Sequence, residues 1–109
     1  MIPRSILGRT GFNVSKLGFG CWASGSLHYG KVSKANAVQS LTEYLDAGGN
    51  FIDTARAYGQ SESIIGNILK NNERKKIILC SKTLEVEHKK IEKDLEQSLK
   101  LLKTDYQIG

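Results

Sequence analysis

Cysteine, proline, methionine and tryptophan are scarce: the 109 residues contain two cysteines and one each of the other three, and aromatic side chains amount to 7%. Two cysteines cannot form the framework of a disulfide-rich secreted scaffold, and neither Cys21 nor Cys80 has a cysteine or histidine at metal-ligand spacing. They read as reduced, partly buried thiols, the alternatives being a disulfide, a metal site or a catalytic role; no metal is expected. No segment approaches the roughly 20 apolar residues of a membrane span, and Met1 to Arg9 lack the apolar core of a secretory signal. A cytoplasmic location with no membrane partner is the expectation.

Length is lacking too. A chain of 109 residues supports one modest core, not a second catalytic domain or a closed barrel of roughly 250 residues, so 1–109 reads as one small domain at most. Nor is charge concentrated. Lys and Arg number 16 against 11 Asp and Glu, giving +5, with seven against four over residues 1–70 and nine against seven over 71–109. A dispersed excess suits solubility, whereas a nucleic-acid interface gathers its cations on one face, so no nucleic-acid partner is expected.

What is present is a regular alternation. Ile2 to Leu7 and Phe12 to Leu17, split by Gly8-Arg9-Thr10-Gly11, predict a hairpin, and Leu17 to Trp22 predicts a glycine-bearing strand. Ser33 is placed to cap a helix over Lys34 to about Ala47, with Val38, Leu41 and Leu45 on its apolar face and Gly48-Gly49 at its end. A short strand, Asn50 to Thr54, precedes a second helix capped by Ser61, with Glu62 in the first turn where the dipole favours an acid. Ile64, Ile65, Ile68 and Leu69 form its buried side, and Asn71-Asn72 stops it. Arg74-Lys75-Lys76 reads as a solvated approach to Ile77-Ile78-Leu79-Cys80, a run without polar alternation that suggests a parallel strand buried on both faces. The last helix is expected from about Val86 to Leu102, with Ile91, Leu95, Leu99 and Leu102 inward and Glu85–Lys89 and Glu96–Lys100 as i,i+4 pairs. Tyr106 and Ile108 begin another strand. Strands recurring about every 30 residues with helices between them make an α/β fold with a parallel sheet.

Three features bear on chemistry. Gly18-Phe19-Gly20-Cys21-Trp22-Ala23 has the letters of a dinucleotide fingerprint, but the next helix starts near Lys34 and Glu43 lies inside it, so close packing of a glycine-bearing strand is the better reading. Asp53 stands at the C-terminal end of its strand, Tyr58-Gly59 follows in the loop, and Lys82 occupies the matching end one strand later, 29 residues on. On spacing alone these three are an active site, a structural ion pair with a bystander, or unrelated surface groups. His28 belongs to the loop after the glycine-bearing strand, and His88 reads as solvent-facing.

In its ordered motifs the chain resembles the amino-terminal part of an aldo-keto reductase. The match runs through Leu7-Gly8-Arg9-Thr10-Gly11, Val14-Ser15-Lys16-Leu17-Gly18-Phe19-Gly20, Phe51-Ile52-Asp53-Thr54-Ala55 with Tyr58-Gly59, Ser61-Glu62, Ile65-Gly66 and Ser81-Lys82, ending at Ser98-Leu99, Leu102 and Thr104-Asp105-Tyr106. The resemblance implies a partial (β/α)8 TIM barrel: the amino-terminal hairpin, about three βα units and the start of a fourth strand. It also implies reduction of aldehyde or ketone carbonyls to alcohols with NADPH. Tyr58 then corresponds to the proton donor, Lys82 to the cation that makes that tyrosine a better acid, and Asp53 to the carboxylate paired with the lysine and bordering the cofactor. Trp22 and Ala23 fall in the substrate pocket. The family's next histidine is not found, since Gln107-Ile108 leads to Gly109. The resemblance also places most contacts to the nicotinamide and adenosine phosphate in a second half that these residues do not include, so the 109 residues alone are expected neither to bind NADPH usefully nor to reduce a small carbonyl substrate. The alternative to an enzyme is a truncated, inactive homologue or protein-interaction fragment, with self-association through open sheet edges.

Overall fold

The computed structural model describes residues 1–21, 33–69 and 71–108. Strands β1 (Arg4–Ile6) and β2 (Asn13–Ser15) pair antiparallel, with Ser5 opposite Val14. A separate parallel sheet has the order β3 (Phe19–Gly20), β4 (Phe51–Asp53), β5 (Ile78–Cys80), in the register Gly20, Asp53, Cys80. Ile108 then bridges to Cys80 in parallel, its N–H donating to Leu79 O at 2.9 Å while Ser81 N–H donates to Ile108 O at 3.0 Å. The fourth strand therefore starts where the spacing predicts it. The arrangement is a partial α/β barrel that does not close among the described residues.

Alternation sorts the strand residues. Cys21, Ile52, Thr54, Leu79 and Ser81 are buried on the helix-facing side, while Phe51, Asp53, Ile78 and Cys80 are only partly covered on the other. The expectation that Ile77 to Cys80 is buried on both faces is thus corrected: Leu79 is enclosed, but Ile78 and Cys80 line the inner side of an open sheet. At Gly20, where close packing is expected, a side chain would meet no described atom within 4 Å.

Helix α1 (Lys34–Asp46) is capped as predicted, the Ser33 hydroxyl accepting from Asn36 N–H. Its buried face is Ala37, Leu41 and Tyr44, with Val38 and Leu45 at the margin. Tyr44 wins the interior because its hydroxyl has partners there: it lies 2.8 Å from Leu17 O and accepts from Phe51 N–H at 3.1 Å. Gly49 lies under that ring, and a Cβ there would be 2.2 Å from Tyr44 Cζ. The hairpin is locked to the base of β4 by Asn50, whose Oδ1 accepts from both Ser15 N–H (2.7 Å) and Ser15 Oγ (3.0 Å) and whose Nδ2 donates to Asn13 O. That lock holds β4, and with it Asp53 at the far end.

Helix α2 (Ser61–Ile68) departs from expectation at both ends. Its cap position is Gln60, with no side-chain capping bond, because the Ser61 hydroxyl is 2.8 Å from Thr54 Oγ1 instead. Asn71–Asn72 do not end it; they begin a 3-10 helix, Asn71–Lys76. Within that turn Arg74 is 7% exposed rather than solvated, donating through Nη1 to Ile77 O (2.9 Å) and through Nε to Thr104 Oγ1 (2.9 Å).

Helix α3 (His88–Leu102) buries Ser98 and Leu102 but leaves Ile91 38% and Leu95 47% exposed in its first half. The pairs on its surface are His88–Glu92 (2.8 Å) and Glu87–Lys90 (3.0 Å). Glu85–Lys89 and Glu96–Lys100 are not paired among the described residues. Glu85 precedes the first turn, outside the geometry an i,i+4 pair needs.

Helices α2 and α3 touch at Gly66, where a Cβ would lie 2.1 Å from Leu101 O and 3.0 Å from Leu102 Cα. Gly66→Ala gains about 1 kcal/mol of helix propensity. Overpacking costs about 1–3 kcal/mol, and a neighbouring backbone cannot rotate aside as a side chain can, so the upper end or beyond applies. We expect a net loss of about 2 kcal/mol, read as a lower urea midpoint at unchanged slope. A higher midpoint would show that the helices do not meet at Gly66.

Candidate active site

The C-terminal ends of β4 and β5 bring Asp53 and Lys82 together. Lys82 Nζ donates to Asp53 Oδ1 at 2.9 Å and also to Thr54 O. The same ammonium lies 5.2 Å from the centroid of the Tyr58 ring, within cation–π range. Tyr58 is held in a tight loop: its N–H donates to Ala55 O, and Ser61 N–H donates back to Tyr58 O, both at 3.1 Å. The loop is stitched to the exit of β5 by Thr54 N–H to Cys80 O (2.8 Å) and Arg56 N–H to Lys82 O (2.9 Å). Carboxylate, ammonium and phenol thus share one rim.

Exposure weighs on the purpose of the ion pair. The Lys82 and Asp53 side chains are 41% and 47% exposed. Such a pair contributes under about 1 kcal/mol to folding, which is a weak reason to gather three functional groups at a rim.

Beneath the rim lies a polar layer that sequence reasoning missed. Glu62 has a fully buried side chain, with Arg56 Nη1 donating to its Oε1 and Ser81 Oγ donating to its Oε2 at 2.7 Å. Thr54, Ser61 and Ser81 are each 0% exposed. Ser61-Glu62 at a helix start reads as cap and dipole acid; the available signal was that Arg56, in a loop, lies six residues before Glu62, near enough to pair across the loop's end.

Both cysteines are free. Burial pushes the Cys21 thiol up to about 12, with the Asp53 charge adding to the effect against the Ser61 hydrogen bond and Lys82. Cys80 is also raised, by burial first and Asp53 second. Thiols held protonated are poor nucleophiles. The unfolded thiol ionises near 9, so stability from this group is complete below pH 9 and declines as pH rises towards 12, by at most roughly 1.4 kcal/mol per unit. We expect Cys21 to resist a thiol reagent at pH 8 until urea unfolds the chain. Rapid labelling of Cys21 in the folded chain, located by peptide mass, would contradict its burial.

Among the described residues no group of three or more His, Cys, Asp or Glu side chains is suited to a metal ion, and no helix is long and apolar enough to cross a membrane. His88 is exposed and faces Glu92. Trp22, Ala23 and His28, the expected pocket residues and loop histidine, lie outside the described residues, as does Gly109.

A sequence model of the Aldo/keto reductase family matches residues 16–107. The chain belongs to that family. It is 36% identical to the aldo-keto reductase YhdN of Bacillus subtilis over 110 aligned positions, covering 89% of this chain and 33% of the relative. It is 34% identical to the L-galactose dehydrogenase of Arabidopsis thaliana, covering 92% and 34%. The holo form of an aldo-keto reductase from Bacillus halodurans superposes with a TM-score of 0.80 at 29% identity, covering 98% of this chain and 38% of that one. The chain spans about a third of the length of the curated relatives it matches.

Proposed function

We propose that these residues form the proton-donating corner of an NADPH-dependent carbonyl reductase acting on aldehydes or ketones. The observation that carries this reading is Lys82, bonded to Asp53 at 2.9 Å and standing over the Tyr58 ring at the open end of a parallel sheet. Room for the cofactor supports it: Gly20, the register partner of Asp53, places no side chain on the inner face. Asp53 would border the nicotinamide, which supplies hydride to the carbonyl carbon when bound. Negative charge then develops on the carbonyl oxygen, and the Tyr58 hydroxyl, donating a hydrogen bond there, delivers the proton. Lys82 favours that transfer because an ammonium beside the ring stabilises the phenolate left behind, and Asp53 keeps the ammonium in place.

The test is a chimera joining these residues to the remaining two-thirds of the Bacillus halodurans relative. Aldehyde-dependent NADPH oxidation, lost on Lys82→Met, is the expected result; a folded, NADPH-binding chimera with no activity on any aldehyde or ketone would overturn the reading. The 109 residues alone leave the cofactor little enclosing surface, so we expect no binding tighter than roughly 10 μM.

A second reading, association through an uncovered side, is favoured by Leu84, Val86, Ile91 and Leu95, all exposed at the start of α3 and the segment before it. Light scattering showing a monomer at high concentration would remove its self-association form.

A further inference from the structure

We propose that Glu62 is a positioning residue that fixes the distance between Tyr58 and Lys82. The proposal rests on reading those two side chains as a working pair. Tyr58 is carried by the loop after β4 and Lys82 by the exit of β5, and the two segments reach the rim by separate routes. Glu62 binds both: Oε1 receives Arg56, two residues before Tyr58, and Oε2 receives Ser81, the residue before Lys82. One rigid carboxylate therefore spans loop and strand from below, while the backbone bond from Arg56 N–H to Lys82 O at 2.9 Å joins them nearer the rim.

Burial singles out this role. An acid that merely complements a helix dipole has no need to leave water to do so, whereas Glu62 has 0% of its side chain exposed. Removing a carboxylate from solvent is costly unless charged and hydrogen-bonded partners are already aimed at it, as Arg56 and Ser81 are. A supporting layer of this kind keeps reacting groups from loosening by an ångström. The paired guanidinium also balances the charge of Glu62, leaving Asp53 as the carboxylate that holds Lys82.

The test reads geometry directly on the 109-residue chain. Because the Lys82 ammonium sits over the Tyr58 ring, its neighbouring methylene protons should resonate upfield of other lysines, and Tyr58→Leu assigns that shift by abolishing it. Glu62→Ala is expected to erase most of the displacement. Glu62→Gln, which can still accept from Arg56 and bond Ser81, should keep most of it, and Ser81→Ala should fall between. Arg74→Met, at the opposite end of the sheet, should lower stability without moving the signal. If Glu62→Ala folds with the full upfield shift, Glu62 is only a structural residue and the proposal fails. If Glu62→Ala does not fold, Ser81→Ala decides: an unchanged shift overturns the proposal, a reduced one supports it. In the chimera, a Glu62 variant with a lost shift but unaltered hydride transfer would leave the positioning intact and remove the catalytic reading of Tyr58 and Lys82.

Discussion

Tyr58→Phe in the completed chimera is expected to slow carbonyl reduction on the order of 10²-fold to 10⁴-fold, about 3 to 5 kcal/mol, with NADPH affinity nearly unchanged. The variant keeps the ring, its packing against the core and the face it offers Lys82. It loses only the hydroxyl from which the proton leaves, so the deficit falls on the transition state and not on ground-state binding. Stopped-flow observation of the hydride step, beside a cofactor titration, separates the two. Lys82→Met should slow the same step because the phenolate loses its neighbouring cation. With both partners of the Lys82–Asp53 pair more than 40% exposed, that variant should cost under about 1 kcal/mol of folding stability, so its kinetics are interpretable. Normal hydride transfer without the Tyr58 hydroxyl would eliminate it as the acid and direct attention to the loop around His28.

The rim was legible in the sequence because parallel βαβ units repeat at nearly constant length: a strand end at Asp53 places the next at Lys82, whatever helix lies between. The hairpin, the Ser33 cap and the strand start at Ile108 were legible for similarly local reasons. What lay beneath the rim was not. Glu62 has the same letters whether its carboxylate faces water or Ser81, and Ser61 can cap its own helix or bond Thr54 equally well on paper. The contacts that decide are made by residues 7 and 19 positions away. The periodicity of α3 correctly identified its apolar stripe, yet period alone does not say whether anything lies over Ile91 and Leu95. Arg74 departs from its expected exposure for a related reason. Beside Lys75 and Lys76 it looks like part of a solvated basic run, while two of its three hydrogen-bond partners, Thr104 and Tyr106, lie after α3.

Those partners make Arg74→Met a strongly destabilising substitution, by about 3 kcal/mol. The guanidinium donates to Ile77 O, Thr104 Oγ1 and Tyr106 O, and it lies 3.8 Å from the centroid of the Tyr106 ring. Burial draws its pKa down from the usual arginine range, opposed by Tyr106 and Asp105. Methionine retains the apolar stem but no donor. A buried acceptor left unpaired costs about 1–3 kcal/mol; Ile77 O bears that cost in full, whereas Tyr106, 49% exposed, can recruit water. Loss of the cation–π contact adds about 0.5–1 kcal/mol. Changes at solvated lysines usually stay within about 0.5 kcal/mol, so the effect should stand clear of a surface substitution. Arg74→Lys should recover only part of it, since an ammonium cannot reproduce a planar fork that serves three acceptors in different directions. Urea unfolding measures the loss, and amide exchange locates it: Ile108 N–H, bonded to Leu79 O at 2.9 Å, should exchange faster once Tyr106 is no longer anchored. An Arg74→Met chain with native stability and undiminished Ile108 protection would show that the fourth strand docks on β5 without this clamp.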